Sequence, residues 1–247
     1  MTAQIALITG ANKGIGFETA RALGGRGMTV LVGARSPDRG ERAAAALAAE
    51  GIDARFVQVD VTDAASVEAA AKRIGDAHGR LDVLVNNAAI TTTDATGRAP
   101  SPPPSGVAPE LVRAAFETNV FGVVAVTNAM LPLLRRSPAG RIVNVSSGLA
   151  SLGWLTDPAD PLDGPNLLPY NASKTALNAV TVAYARELAD TPIKVNAVAP
   201  GYCATDLNGH SGHRTAAQGA AVIAGVAAQG PDGPSGAYLA EEGPLPW

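Results

Sequence analysis

Six short, nearly continuous apolar runs punctuate this chain of 247 residues: IALIT (5–9), TVLVGA (29–34), ARFVQV (54–59), LDVLVN (81–86), RIVNVS (141–146) and IKVNAVA (193–199). A strand with one wet face alternates apolar and polar residues, so continuous runs suit strands covered on both faces of a parallel sheet. AYLA (237–240) is a weaker seventh run. Ala-rich stretches with helical end signals lie between them. Ser36-Pro37-Asp38 supplies an N-cap followed by proline at the first helical position, and Gly51 closes the stretch ending ERAAAALAAE. Thr62 or Asp63 can cap AASVEAAAKRIGDAH, which Gly79 ends. Strand–helix alternation without internal repeats predicts a single α/β domain over residues 1–247. Its sheet should be doubly wound, with about seven mostly parallel strands and helices on both faces.

Three segments break the alternation: 91–109, rich in Pro, Ser and Thr; 148–169, which contains DPADPLDGPNLLP; and 201–213. All follow strand C-terminal ends, the edge where open α/β sheets bind ligands. They read as loop excursions that wall a substrate pocket, with surface loops as the alternative. Trp154, Leu155, Leu167 and Leu168 either line that pocket or pack beneath the second excursion.

A net charge of −3 gives no surplus of positive charge for nucleic acid or an anionic membrane surface. The lone Cys203 excludes an intrachain disulfide and a cysteine-based metal site. His210 and His213, in NGHSGHR, read as a polar loop rather than as metal ligands. The first strand begins without a signal-peptide pattern, and no uninterrupted apolar run approaches the ~20 residues of a membrane span. A cytoplasmic protein is expected.

TGANKGIG (9–16) ends the first strand and opens the first helix. Its glycines, Gly10, Gly14 and Gly16, match neither the common G-x-G-x-x-G fingerprint nor a P-loop, yet the physics is shared. Glycines allow a tight turn and close backbone approach, and a helix N-terminus offers free N–H groups to a diphosphate. Strand two ends in VGAR, where a protein selecting NAD commonly places a carboxylate for the ribose hydroxyls. Here stand Ala34 and Arg35, with Lys13 nearby in the glycine turn, so the 2′-phosphate of NADP is favoured.

In YNASK (170–174), Tyr170 and Lys174 share one helical face. That spacing alone does not distinguish catalysis from chance. Taken in order, however, TGANKGIG, NNAA (86–89), Asn119 in FETNVFG, NVSS (144–147), YNASK and APGYCATD (199–206) resemble the short-chain dehydrogenase/reductase family over essentially the whole chain. Within it, the chain is similar to the carbonyl reductases through TGANKGIG, GAR, the extended segment before Tyr170 and the ending GPSGAYLAEEGPLPW.

The resemblance implies a Rossmann fold that transfers hydride between a nicotinamide cofactor, NADP(H), and a carbonyl carbon. Tyr170 and Lys174 match the family's catalytic pair and cofactor contacts, Ser147 the serine that bonds the reacting oxygen, and Asn119 the asparagine of a water-linked proton relay. Gly10, Asn12, Lys13, Gly14, Ile15 and Gly16 match the cofactor turn. Asp60 and Val61 match the adenine surroundings, Asn86 and Ala88 the adenosine side, and Thr205 the carboxamide contact. In this chemistry a nearby ammonium is expected to lower the tyrosine pKa so that the phenol can act as general acid.

Two departures stand out. Ala89 replaces the usual glycine, and the 22 residues between Ser147 and Tyr170 exceed the usual separation in the family. Such a segment could cover helices through which relatives dimerise, so a monomer is expected over a homo-oligomer. The expected function is reduction of small or medium apolar ketones and aldehydes. An alcohol dehydrogenase working oxidatively and a non-catalytic NADP-binding redox sensor remain as alternatives.

Overall fold

The computed structural model describes residues 3–92, 102–159 and 166–247. Strands and helices alternate from the start: β1 (Ile5–Thr9), α1 (Gly14–Gly24), β2 (Thr29–Ala34), α2 (Pro37–Ala49), β3 (Ala54–Gln58), α3 (Ala64–His78) and β4 (Val83–Asn86). There follow α4 (Pro109–Phe116), a π-helical turn at Glu117–Phe121, α5 (Gly122–Leu134), β5 (Arg141–Val145), α6 (Leu152–Leu155) and α7 (Leu168–Glu187). The chain continues through β6 (Lys194–Val198), α8 (Ala216–Ala227), β7 (Tyr238–Ala240) and β8 (Gly243–Pro244). The sheet order is β3-β2-β1-β4-β5-β6-β7-β8, parallel except for the last pair. The order reverses between β1 and β4, so a crevice opens at the C-terminal ends of those strands.

Burial on both faces explains the continuous apolar runs. Ala6, Ile8, Val30, Val32 and Val85 pack with Leu23 of α1, Leu47 of α2 and Ile223 of α8. Leu7, Leu31, Leu84 and Ile142 point the other way, towards Ile74 of α3 and Met130 of α5. Each such Val, Leu, Ile or Met side chain contributes about 1.5–3 kcal/mol through burial. Asp63 caps α3 by accepting from the Ala65 N–H at 3.1 Å, whereas Thr62 bonds Asp60. Ser36 holds the N-cap position of α2 without a side-chain hydrogen bond.

Several expectations change. The sheet has an eighth strand, β8, which two residues including a proline could not announce. The second excursion is not wholly loop: it carries a 3-10 turn at Gly148–Ala150 and α6, while 160–165 lie outside the described residues. In the first, 93–101 lie outside them and Pro104–Gly106 form a 3-10 turn. The third turns at Asp206–Asn208. Pro109–Leu134 runs on as a helix of 26 residues, long and apolar enough by length and composition to cross a membrane, although it holds no uninterrupted apolar run of that length. Glu110, Arg113 and Glu117 interrupt it, and Ala115, Asn119, Val126, Met130 and Leu134 are buried in the domain. It is a wall of the core.

Beside the crevice, Asn86 and Asn144 are register partners at the ends of β4 and β5. Asn86 Nδ2 donates to Thr127 Oγ1 (3.1 Å) and Asn144 Oδ1 (2.8 Å), and Asn144 Nδ2 donates to Thr181 Oγ1 (2.9 Å). Thr181→Val keeps the shape but strands a buried amide. Urea denaturation should show a loss of about 1–3 kcal/mol.

Candidate active site

The glycine turn occupies the strand-order reversal. Gly10 and Gly14 have φ of 65° and 58°, and a Cβ on Gly16 would lie 2.4 Å from Asn87 Nδ2. The sequence pointed to the glycines but not to their clamp. Asn87 Nδ2 donates to the carbonyls of Thr9 (2.9 Å) and Gly10 (3.3 Å), while Thr9 Oγ1 accepts from the N–H groups of Asn87 and Ala88. After Lys13, α1 begins with no side-chain cap and no acid in its first turn. Its free N–H groups and positive dipole end suit a diphosphate. Ile15 packs into the core, leaving its backbone at the turn.

Two cavities flank this turn. One, of about 600 Å³, is lined by Asn12, Lys13, Phe17, Arg39, Arg42 and Asp206. Arg39 and Arg42 escaped the sequence reading; their signal is the three-residue spacing of two cations at the start of α2. The other, of about 450 Å³, is lined by Arg35, Gln58, Asp60, Ser66 and Arg73. Partial burial pushes the Asp60 carboxyl up, but hydrogen bonds from Thr62 and the Arg35 charge outweigh it and leave the pKa below its ordinary value. Val61 packs on α5, 2.9 Å from where a Cβ of Gly122 would sit. Asn86 has its Nδ2 committed to the buried amide ladder, while its Oδ1 is buried without a partner.

The 201–213 segment reaches over the turn. Thr205 Cγ2 lies 3.6 Å from the Cβ position of Gly14, and Asp206 pairs with Lys13 at 2.5 Å and with His210 at 2.8 Å. Thr91 Oγ1 donates to the Leu207 carbonyl at 3.1 Å, joining this segment to the stretch after β4.

Tyr170 lies in the first turn of α7 and Lys174 in the next. Lys174 is 2% exposed; its Nζ donates to the Val145 carbonyl at 2.7 Å and stands 5.8 Å from the Tyr170 ring centroid. Ser147, just past β5, stands near enough to the Tyr170 phenol to influence its ionisation. Asn119, fully buried in the π-helical turn, accepts from the Ile90 N–H (2.9 Å) and donates to the Ile90 carbonyl (3.0 Å) and Ser173 Oγ (3.0 Å). The four residues proposed from sequence therefore gather at one edge of the sheet.

The electrostatics differ from the expectation. Burial raises the Tyr170 phenol above its ordinary value, and Ser147 opposes this only in part. Desolvation brings the Lys174 ammonium down to about 7. Lys174 touches a carbonyl rather than the phenol oxygen, so it does not lower the Tyr170 pKa in this state. A raised pKa keeps the phenol protonated at neutral pH, the form able to donate.

Residues 4–216 match the short chain dehydrogenase family. The chain belongs to that family, and is an oxidoreductase. A short-chain dehydrogenase of Penicillium roqueforti is 38% identical over 93% of this chain and 90% of its own length. The (+)-neomenthol dehydrogenase of Capsicum annuum is 31% identical over 95% of this chain and 94% of its own. Among solved structures, salutaridine reductase from Papaver somniferum superposes with a TM-score of 0.83 at 29% identity, covering 96% of this chain and 99% of its own. NADPH-bound carbonyl reductase from chicken fatty liver superposes with a TM-score of 0.85 at 25% identity, covering all of both chains.

For this short-chain dehydrogenase, the lowered pKa of Lys174 predicts a pH effect on stability. Between about 7 and the ordinary 10.5 the unfolded lysine binds a proton that the folded one does not. The resulting stabilisation is complete above 10.5 and is lost as pH falls through 7. Relative to Lys174→Met, the wild type should gain up to about 1.4 kcal/mol per pH unit above pH 7, read by urea denaturation.

Proposed function

We propose that the protein is an NADPH-dependent reductase of ketones and aldehydes. The observation that carries this reading is the convergence of Ser147, Tyr170 and Lys174 at the strand ends, beside an uncapped helix start flanked by Lys13, Arg35 and Arg39. The glycine turn admits close backbone approach, and the cations face a region fit for a phosphorylated ribose. A carbonyl reductase holding NADPH among the similar structures supports the same cofactor and reaction.

When bound, NADPH supplies a hydride to the carbonyl carbon. As charge grows on the carbonyl oxygen, Tyr170 delivers its phenolic proton and Ser147 donates a hydrogen bond to the same atom. Lys174, protonated, then offsets the charge left on Tyr170 and fixes the nicotinamide ribose. Asn119 supports proton resupply through its position beside Ser173. The raised phenol pKa keeps Tyr170 in its protonated form, the one that reduction requires of it.

Lys13 is paired with Asp206, both more than half exposed. Surface pairs of this kind contribute about 0–1 kcal/mol, so Lys13 can exchange Asp206 for a phosphate at small cost. Exposed Leu152, Leu155, Tyr202 and Leu207 sit on the second and third excursions, and their cover by an apolar substrate is favourable.

Tyr170→Phe should cut NADPH oxidation by a panel of activated ketones at least about 100-fold while NADPH still binds. Retained turnover would remove Tyr170 as the acid. Arg35→Asp should weaken NADPH on the order of tenfold and NADH far less, measured by fluorescence titration. Equal losses would dismiss the phosphate argument.

A further inference from the structure

Tyr238 lies in β7, the last parallel strand, and is 1% exposed. Its phenol does not end in the core. It donates to the carbonyl oxygen of Ser147, the residue that bears the catalytic hydroxyl in the reading above. That carbonyl also accepts from the Ala150 N–H at 2.9 Å, so two donors from different parts of the chain fix one peptide plane. Ser147 itself is extended, with φ −158° and ψ 146°, and is the hinge between β5 and the following 3-10 turn. Its Oγ accepts from the Leu149 N–H at 3.2 Å, which leaves the O–H to donate outward. Rotation of the Ser147 peptide would carry that hydroxyl away from the reacting oxygen.

A strap formed by 243–247 secures the same region. The Trp247 ring stacks on Tyr238 with centroids 5.4 Å apart and planes 24° from parallel. The Trp247 carbonyl accepts from the Gly153 N–H at 2.8 Å, and the Pro246 carbonyl accepts from Ser151 Oγ at 2.7 Å. A Cβ on Gly153 would lie 3.0 Å from Pro246 Cβ, so strap and excursion are in close contact. Apart from the stack on Tyr238, these contacts fall at Ser151 and Gly153, in the segment that leaves Ser147. Burial raises the Tyr238 pKa well above the ordinary value, while Asn178 and Ser146 oppose the shift. The phenol therefore keeps its proton for the Ser147 carbonyl.

We propose that Tyr238, braced by Trp247, is a positioning residue for carbonyl reduction: its hydroxyl holds the Ser147 peptide so that Ser147 Oγ faces the substrate oxygen. The proposal rests on the reading of Ser147 as the oxygen-bonding residue. A phenyl ring would fill the same volume, so the hydroxyl can be removed without emptying the core.

The test is a double-mutant cycle on the full chain, with NADPH and ethyl 4-chloroacetoacetate as the probe ketone. Tyr238→Phe should lower kcat about tenfold, because small misplacements of a catalytic group cost rate rather than affinity. The KM for the ketone and the Kd for NADPH should stay within about twofold of wild type. In a Ser147→Ala background, Tyr238→Phe should change kcat by less than about twofold, since its effect passes through the missing hydroxyl. Trp247→Ala should lower kcat about threefold, again only while Ser147 is present. A wild-type kcat in Tyr238→Phe beside a slow Ser147→Ala overturns the proposal. So does a tenfold loss that persists without Ser147, which would mark Tyr238 as a packing residue. A wild-type kcat in Trp247→Ala overturns the brace. A wild-type rate in Ser147→Ala overturns instead the reading of Ser147 on which the proposal stands.

Discussion

Three polar contacts fasten α7 to the end of β5, and the geometry of the site follows from them. Thr181 Oγ1 accepts from Asn144 Nδ2, Asn178 Oδ1 accepts from Ser146 Oγ at 2.7 Å, and Lys174 Nζ donates to the Val145 carbonyl at 2.7 Å. Positions 174, 178 and 181 fall on one helical face, and all three are buried. Buried polar groups without partners cost more than their hydrogen bonds return, so a slide or rotation of α7 would be penalised at three places together. Tyr170 precedes this stripe by one turn and Ser147 follows the strand end by two residues. Their contact is the last rung of the same arrangement.

The fastening also explains the charges. Holding Lys174 against a backbone carbonyl, away from water, makes its ammonium costly. Holding Tyr170 among protein atoms favours the neutral phenol. Each group is thus pushed towards its uncharged form, and charge on either becomes easier when the other is charged with opposite sign. At rest the pair favours a neutral phenol over a tyrosinate.

Much of this was legible because the sheet is buried on both faces. The runs at 5–9 and 29–34 begin and end where the strands do, and Asp63 and Gly79 bound α3 as their capping chemistry requires. The glycine turn and the Tyr170–Lys174 spacing were equally plain, being local in sequence. What the chain concealed depends on contacts between distant segments. Arg39 and Arg42 become neighbours of Lys13 only when α2 lies beside α1. Asn87 gains its role from carbonyls 77 and 78 residues away, and Tyr238 reaches a carbonyl 91 residues upstream. The direction of the Tyr170 shift was hidden for a similar reason: helical spacing places Lys174 near the ring, but only packing shows its ammonium turned to Val145.

The division between rigid and variable parts carries one more consequence. Asn119, Ser147, Tyr170 and Lys174 stand on helices or immediately past a strand, with partners on two or more elements. Four of the six exposed large apolar side chains found among the described residues, Leu152, Leu155, Tyr202 and Leu207, stand instead on the second and third excursions. A site built in this way can change its walls by altering its excursions without disturbing Asn119, Ser147, Tyr170 and Lys174. The strap at 243–247 is where the two parts meet, since it touches the second excursion on one side and stacks on the phenol beneath Ser147 on the other. A change in that excursion is therefore felt at Ser147 through Pro246, Trp247 and Tyr238, which ties the shape of the excursion to the orientation of the Ser147 peptide.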